Sequence, residues 1–198
     1  MDPLKIVLYP DDILCKPCRE LTQDELGSGQ VNGRRIDELV DHMAMTMVAK
    51  GGVGLAAPQV GIPLRMFVCH TSTSPGKPFA IVNPVIKEAS GNVVDFEGCL
   101  SLPGISAKIE RGELVVVSGN SPKGEYQVHT FQKFDARVVQ HEMDHLDGVV
   151  FLQRMAEDEY LKLMRNVRAI SSPPKIDPPS PKGTTRNLWS SGPRKKKQ

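Results

Sequence analysis

A chain of 198 residues with 39% hydrophobic and 24% charged side chains is long enough for one domain with its own core and too short for two. No run approaches the roughly 18 consecutive apolar residues of a membrane span, and four cysteines are too few and too scattered for a disulfide scaffold. The net charge of +2 divides unevenly: residues 171–198 carry seven Lys/Arg against one acid, so the body is mildly acidic and only the tail suits a polyanion.

The opening MDPLKIVLYPDD has no basic region followed by an apolar block, so no secretory signal is expected and the cytoplasm is the default location. Leu4–Leu8 reads as a strand or extended segment entering a turn at Tyr9-Pro10-Asp11-Asp12. Cys15 and Cys18 form a lone C-x-x-C with no second pair or nearby His, and are read as small side chains at the start of the domain. Ile36, Leu39, Val40, Met43 and Met47 recur at helical spacing, and Gly51-Gly52 stops the run. Residues 64–69, 79–82, 93–96, 114–117 and 126–130 are short β-branched or aromatic runs, with residues 118–124 as a turn between the last two. Cys69 falls in one of these runs and is expected to be buried. A helix is predicted from about Asp135 to Leu146, leaving through Asp147-Gly148, and a last amphipathic segment from about Glu157 to Val167. The expected fold is α+β: short, mostly antiparallel strands around a central helix, with an N-terminal and a C-terminal helix. Residues 1–170 form the expected domain, and residues 171–198 a Pro/Lys-rich tail too poor in apolar side chains to order itself.

The chemistry is concentrated in three places. In His141-Glu142-Met143-Asp144-His145 the imidazoles stand at i and i+4, one above the other on a helix face, where both can meet one metal ion. Glu142 is then placed to act as a general base without being a ligand. The same spacing also occurs on plain solvated helix faces. A catalytic centre needs a third protein ligand and an open position. No His follows His145, but Glu157 and Glu159 do, and an H-E-x-x-H metalloprotease would use one of them. Upstream, Glu97-Gly98-Cys99-Leu100-Ser101 offers a thiolate that a divalent metal would deprotonate and keep, although Cys99 alone reads equally well as a buried structural residue. In residues 52–59, small side chains let a substrate backbone approach, and the Gln59 amide can polarise a carbonyl or hold an oxyanion. No G-K-[ST] ends that loop, so no nucleotide or dinucleotide cofactor is expected. A non-enzymatic alternative is a ribosome- or RNA-associated module with a structural metal, which would require four closed ligands.

Together and in this order, G-x-G-x-A-A-x-Q, E-G-C-L-S and Q-H-E-x-D-H (Gln140 to His145) resemble the signatures of the peptide deformylase family, in its type I, bacterial-type branch. The similarity runs from about residue 1 to 160. It implies a hydrolase that removes the formyl group from the N-terminal formylmethionine of nascent peptides, with Cys99, His141 and His145 holding the metal and Glu142 as base. It implies oxyanion donation from Gln59 and the Leu100 backbone N–H, and binding of the peptide backbone at Gly54. Val53, Gly98, Phe134, Val138 and His141 fall where the family builds its methionine pocket, while Ser106 stands where relatives often carry Arg or Tyr. Arg111 is the expected partner of Glu97, fixing the loop that carries Cys99. The resemblance implies Fe(II) as the physiological ion, with Zn, Ni or Co as substitutes, since a Cys/His/His set does not itself choose among them. The basic tail suits rRNA, which makes the ribosome a candidate partner.

Overall fold

The computed structural model describes residues 2–72 and 78–168, so the expectation for the 171–198 tail lies outside the described residues. In chain order the elements are α1 (Gln23–Ser28), β1 (Gln30–Val31), β2 (Arg34–Arg35), α2 (Ile36–Ala49), β3 (Gly54–Ala56), β4 (Met66–Cys69), β5 (Phe79–Ser90), β6 (Val93–Cys99), β7 (Leu102–Arg111), β8 (Leu114–Asn120), β9 (Tyr126–Gln132), α3 (Lys133–Leu146) and α4 (Glu157–Arg168). Five strands form one sheet in the order β3-β4-β5-β8-β9. β1 pairs with β2, and β6 with β7, as separate ribbons. Every one of these pairings is antiparallel.

The central sheet is covered on both faces, and β4 shows why. All four of its residues are buried. Because side chains alternate along a strand, Met66 and Val68 join Ile36, Leu39, Val40, Met43 and Met47 of α2 in one cluster. Phe67 and Cys69 instead join Val138, Val139, Met143 and Leu146 of α3. The apolar stripe of α3 thus faces the sheet and turns its His141–His145 face towards the β6–β7 ribbon. A third cluster fastens that ribbon through Leu102 and Ile109 to Phe151, Leu152 and Tyr160.

The start of the chain laces these parts together. Val7 N–H donates to the Gln59 carbonyl at 2.8 Å, Tyr9 N–H to the Ser101 carbonyl at 2.9 Å and Cys18 N–H to the Leu146 carbonyl at 2.8 Å. One segment therefore touches the elements that carry all three motifs. Among the described residues no helix is long and apolar enough to cross a membrane.

The α+β architecture is the expected one, with differences at element ends. Residues 118–120, expected in a turn, extend β8, because they pair with residues 126–128 of β9 and leave only 121–125 to reverse the chain. β5 runs to Ser90 instead of stopping near Val82, crossing two register shifts that carry it beyond its apolar stretch. α1, β1, β2, β3 and β7 have no counterpart among the predicted elements. α1 is six residues long and is held by a capping box between Thr22 and Glu25, a signal of local hydrogen bonding and not of apolar period.

Candidate metal centre

α3 sets His141 and His145 one turn apart, with ring centroids 5.0 Å apart and nearly perpendicular planes. Cys99 ends β6, and its Sγ lies 3.2 Å from His145 Nε2. His141 Nδ1 lies 2.9 Å from Glu97 Oε2, which leaves its Nε2 as the free donor atom. One donor atom from each of Cys99, His141 and His145 lies within 4.8 Å of the others, the only such cluster of His, Cys, Asp and Glu among the described residues. Burial opposes ionisation of the Cys99 thiol, but the two imidazoles hold it well below the ordinary thiol range. The sulfur also accepts from Gln59 Nε2 at 3.3 Å and Ser101 N–H at 3.4 Å. A thiolate converging with two imidazoles fits a divalent transition metal.

Glu142 lies beside this cluster and is buried to 3% exposure. Burial pushes its carboxyl up to about 7 against the pull of His141 and His145. Its Oε2 and His145 Nδ1 are the two buried side-chain polar atoms without a hydrogen-bond partner among the described residues. An orphaned buried acceptor costs about 1–3 kcal/mol, which makes Oε2 a candidate contact for a bound group. Gly54 makes the room: a Cβ there would stand 2.8 Å from Glu142 Cδ. The Gln59 side chain is fixed by its own turn, its Oε1 accepting from Ala56 N–H at 2.8 Å, which aims its Nε2 at Cys99 and Ser101.

Behind the donors lies a buried ionic network. Arg111 donates to both Glu97 oxygens, at 2.8 and 2.9 Å, and to Asp144 Oδ2 at 2.7 Å. Arg154 donates to both Asp144 oxygens, at 3.1 and 2.6 Å. Burial alone would raise Glu97, but Arg111 and His141 hold its carboxyl well below the usual carboxylate range. Gln140 clamps Gly112 from both sides, its Oε1 accepting from the backbone N–H at 3.0 Å and its Nε2 donating to the carbonyl at 2.9 Å. The motif residues Gln140 and Asp144 thus tie α3 to its surroundings and face away from the donor cluster.

A cavity of about 220 Å³ opens over the donors. Val53, Gly54, Gln59, Gly98, Cys99, Leu100, Phe134, Val138, His141 and Glu142 all line it, together with Phe96 and Arg137, which were not singled out from the sequence. Ser106 is exposed and pairs with Gly98 across the ribbon. Glu157 and Glu159, the alternative third ligands, belong to α4 and stand outside the donor cluster. Arg137 and Arg154 were missed as well. Arg137 precedes His141 by one turn, so its helical spacing was the available signal; Arg154 had none.

A thiolate and two imidazoles beside a buried carboxylate, at the foot of a cavity walled by Val53, Phe134 and Val138, form the equipment of a metal-dependent hydrolase. Residues 3–160 match the polypeptide deformylase family, and the chain belongs to it. It is 39% identical over 173 residues to the peptide deformylase of Hydrogenovibrio crunogenus, covering 86% of this chain and 92% of that protein. It is 38% identical over 171 residues to the Aquifex aeolicus peptide deformylase, covering 81% and 96%. The crystal structure of the Thermus thermophilus peptide deformylase superposes with a TM-score of 0.74 at 36% identity, over 83% of this chain and 92% of that one. The Acinetobacter baumannii class I type b enzyme with Met-Ala-Ser bound gives 0.69 at 34% identity, over 78% and 99%.

Proposed function

We propose that the protein hydrolyses the formyl group from the N-terminal formylmethionine of newly made peptides, releasing formate. The observation that carries the reading is the convergence of Cys99, His141 and His145 beside the buried, unpartnered Oε2 of Glu142. Cys99 Sγ and the two Nε2 atoms would hold a divalent ion, which would supply Lewis acidity towards a carbonyl and make water a stronger acid. Glu142 takes the proton from the attacking water and delivers it to the departing amine nitrogen, one carboxylate serving both steps. Gln59 Nε2 and the Leu100 backbone N–H stabilise the oxyanion that develops on the formyl oxygen. The first side chain enters the cavity between Val53, Gly98, Phe134 and Val138, and the peptide backbone lies along Gly54, where no side chain intervenes. The Met-Ala-Ser peptide bound by the Acinetobacter baumannii relative supports a methionyl peptide as the ligand class.

Fe(II) is the proposed physiological ion, with Zn, Ni or Co as substitutes, and the cytoplasm the proposed location. The tail from residue 171, with seven Lys/Arg against one acid, is proposed to add affinity for the ribosome. The deciding assay is formate release from formyl-Met-Ala-Ser under anaerobic conditions with Fe(II). Glu142→Ala is expected to lower the rate about 10²–10⁴-fold with metal retained, whereas Cys99→Ala loses the metal as well. A folded, metal-loaded wild type that releases no formate overturns the proposal.

A further inference from the structure

Resting on the ligand set proposed above, we infer that Arg137 is a positioning residue for the metal centre, holding the ribbon that delivers Cys99 against the helix that delivers the two imidazoles. The problem it solves is topological. β6 and β7 pair only with each other, so no ladder hydrogen bonds join the ribbon to the five-stranded sheet. Yet Cys99 has to meet donor atoms on α3 within a few ångströms.

Arg137, one turn before His141 and 6% exposed, bridges that gap. Its Nη1 donates to Glu97 Oε1 at 2.8 Å, the Ile109 carbonyl at 2.8 Å and the Asp95 carbonyl at 3.3 Å. Its Nη2 donates to the Val93 carbonyl at 2.7 Å. The acceptors lie on both strands of the ribbon, and the only carboxylate among them is the one that orients His141. Arg111 grips the same carboxylate from the ribbon side. Glu97 is therefore fixed from both partners at once, and its position sets His141 and, two residues on, Cys99. A planar guanidinium can reach several acceptors in this way, and a lysine ammonium cannot.

Arg137 also borders two spaces. With Phe134 it lines both the cavity over the donors and a second cavity of about 190 Å³, also bordered by Val93, Asp95 and Arg111. Shortening Arg137 is expected to open a place between these spaces for free guanidinium to bind. That makes chemical rescue the test. Co(II) is added to metal-free wild type, Arg137→Lys and Arg137→Ala, and affinity is read from the sulfur-to-cobalt charge-transfer absorption, independently of turnover. Arg137→Ala is expected to bind Co(II) about 10–100-fold more weakly, with Arg137→Lys in between, and millimolar guanidinium is expected to restore the absorption and formate release in Arg137→Ala alone. Wild-type affinity in Arg137→Ala, or a loss that guanidinium leaves untouched, overturns the inference. If Arg137→Ala does not fold, Arg137→Lys decides, and Co(II) affinity equal to wild type overturns it. Failure of the wild type itself to bind Co(II) would instead refute the ligand set.

Discussion

At the scale of single residues, the centre depends on what is left out as much as on what is present. Gly54 keeps its place because Glu142 occupies the space a side chain would need. Gly54→Ala is therefore expected to push the carboxylate aside and cut formate release about 100-fold or more. Co(II) binding should stay near the wild-type value, since Glu142 is proposed as a base and not a ligand, while displacing the buried carboxylate lowers the melting temperature somewhat. Unchanged turnover would mean that the carboxylate relaxes without cost. Residues of this kind were legible in the sequence. Cys99, His141, His145, Glu142, Gln59 and Gly54 sit in short motifs whose spacing expresses the chemistry directly. The Arg111–Glu97 ion pair could be expected only through the family resemblance, and its distances are those of a bidentate pair. Arg137 carried only its one-turn spacing from His141 and Arg154 no signal at all, because a buried arginine looks, in sequence, like any other charged residue on a helix or loop. Only the carbonyls and carboxylates that surround it make it necessary.

At the scale of elements, α2, α3 and α4 were legible because each carries a helical apolar period over three or more turns. The core of each predicted strand was legible too. β7 was not: its exposed and buried residues alternate with Pro103, Gly104 and Ser106 among them, and it exists because β6 lies beside it. The exit of α3 shows how local chemistry and packing combine. Gly148 adopts φ 72°, and a Cβ there would come within 2.7–2.8 Å of backbone atoms of Lys16 and Cys15. Gly148→Ala meets both penalties, positive φ alone costing about 1–2 kcal/mol, with a fall in melting temperature of about 4–8 °C expected. Calorimetry measures this directly, and a fall below 2 °C would show that the Cys15–Lys16 backbone yields easily. Because that backbone leads into Cys18, whose N–H holds the Leu146 carbonyl, the variant should also loosen the C-terminal end of the ligand-bearing helix.

At the scale of the whole molecule, the family match ends at residue 160 and α4 at Arg168, so catalysis and the basic tail should be separable. Truncation after residue 170 is expected to leave melting and formate release unchanged. Ribosome affinity should fall, and its dependence on salt should become shallower, as fits the removal of several phosphate-neutralising charges. Equal affinity and salt slope in the two forms would end the ribosome role of the tail. The lacing by residues 7–18 has a consequence in time. Val7 and Tyr9 are made long before the helix that Cys18 holds, so the fastening leaves the ribosome first and waits for the parts it fastens. Cys99 likewise emerges well ahead of His141 and His145. A copy made only as far as Cys99 thus has the sulfur of the proposed centre and neither of its imidazoles. The full ligand set proposed above therefore exists only once residue 145 has been made.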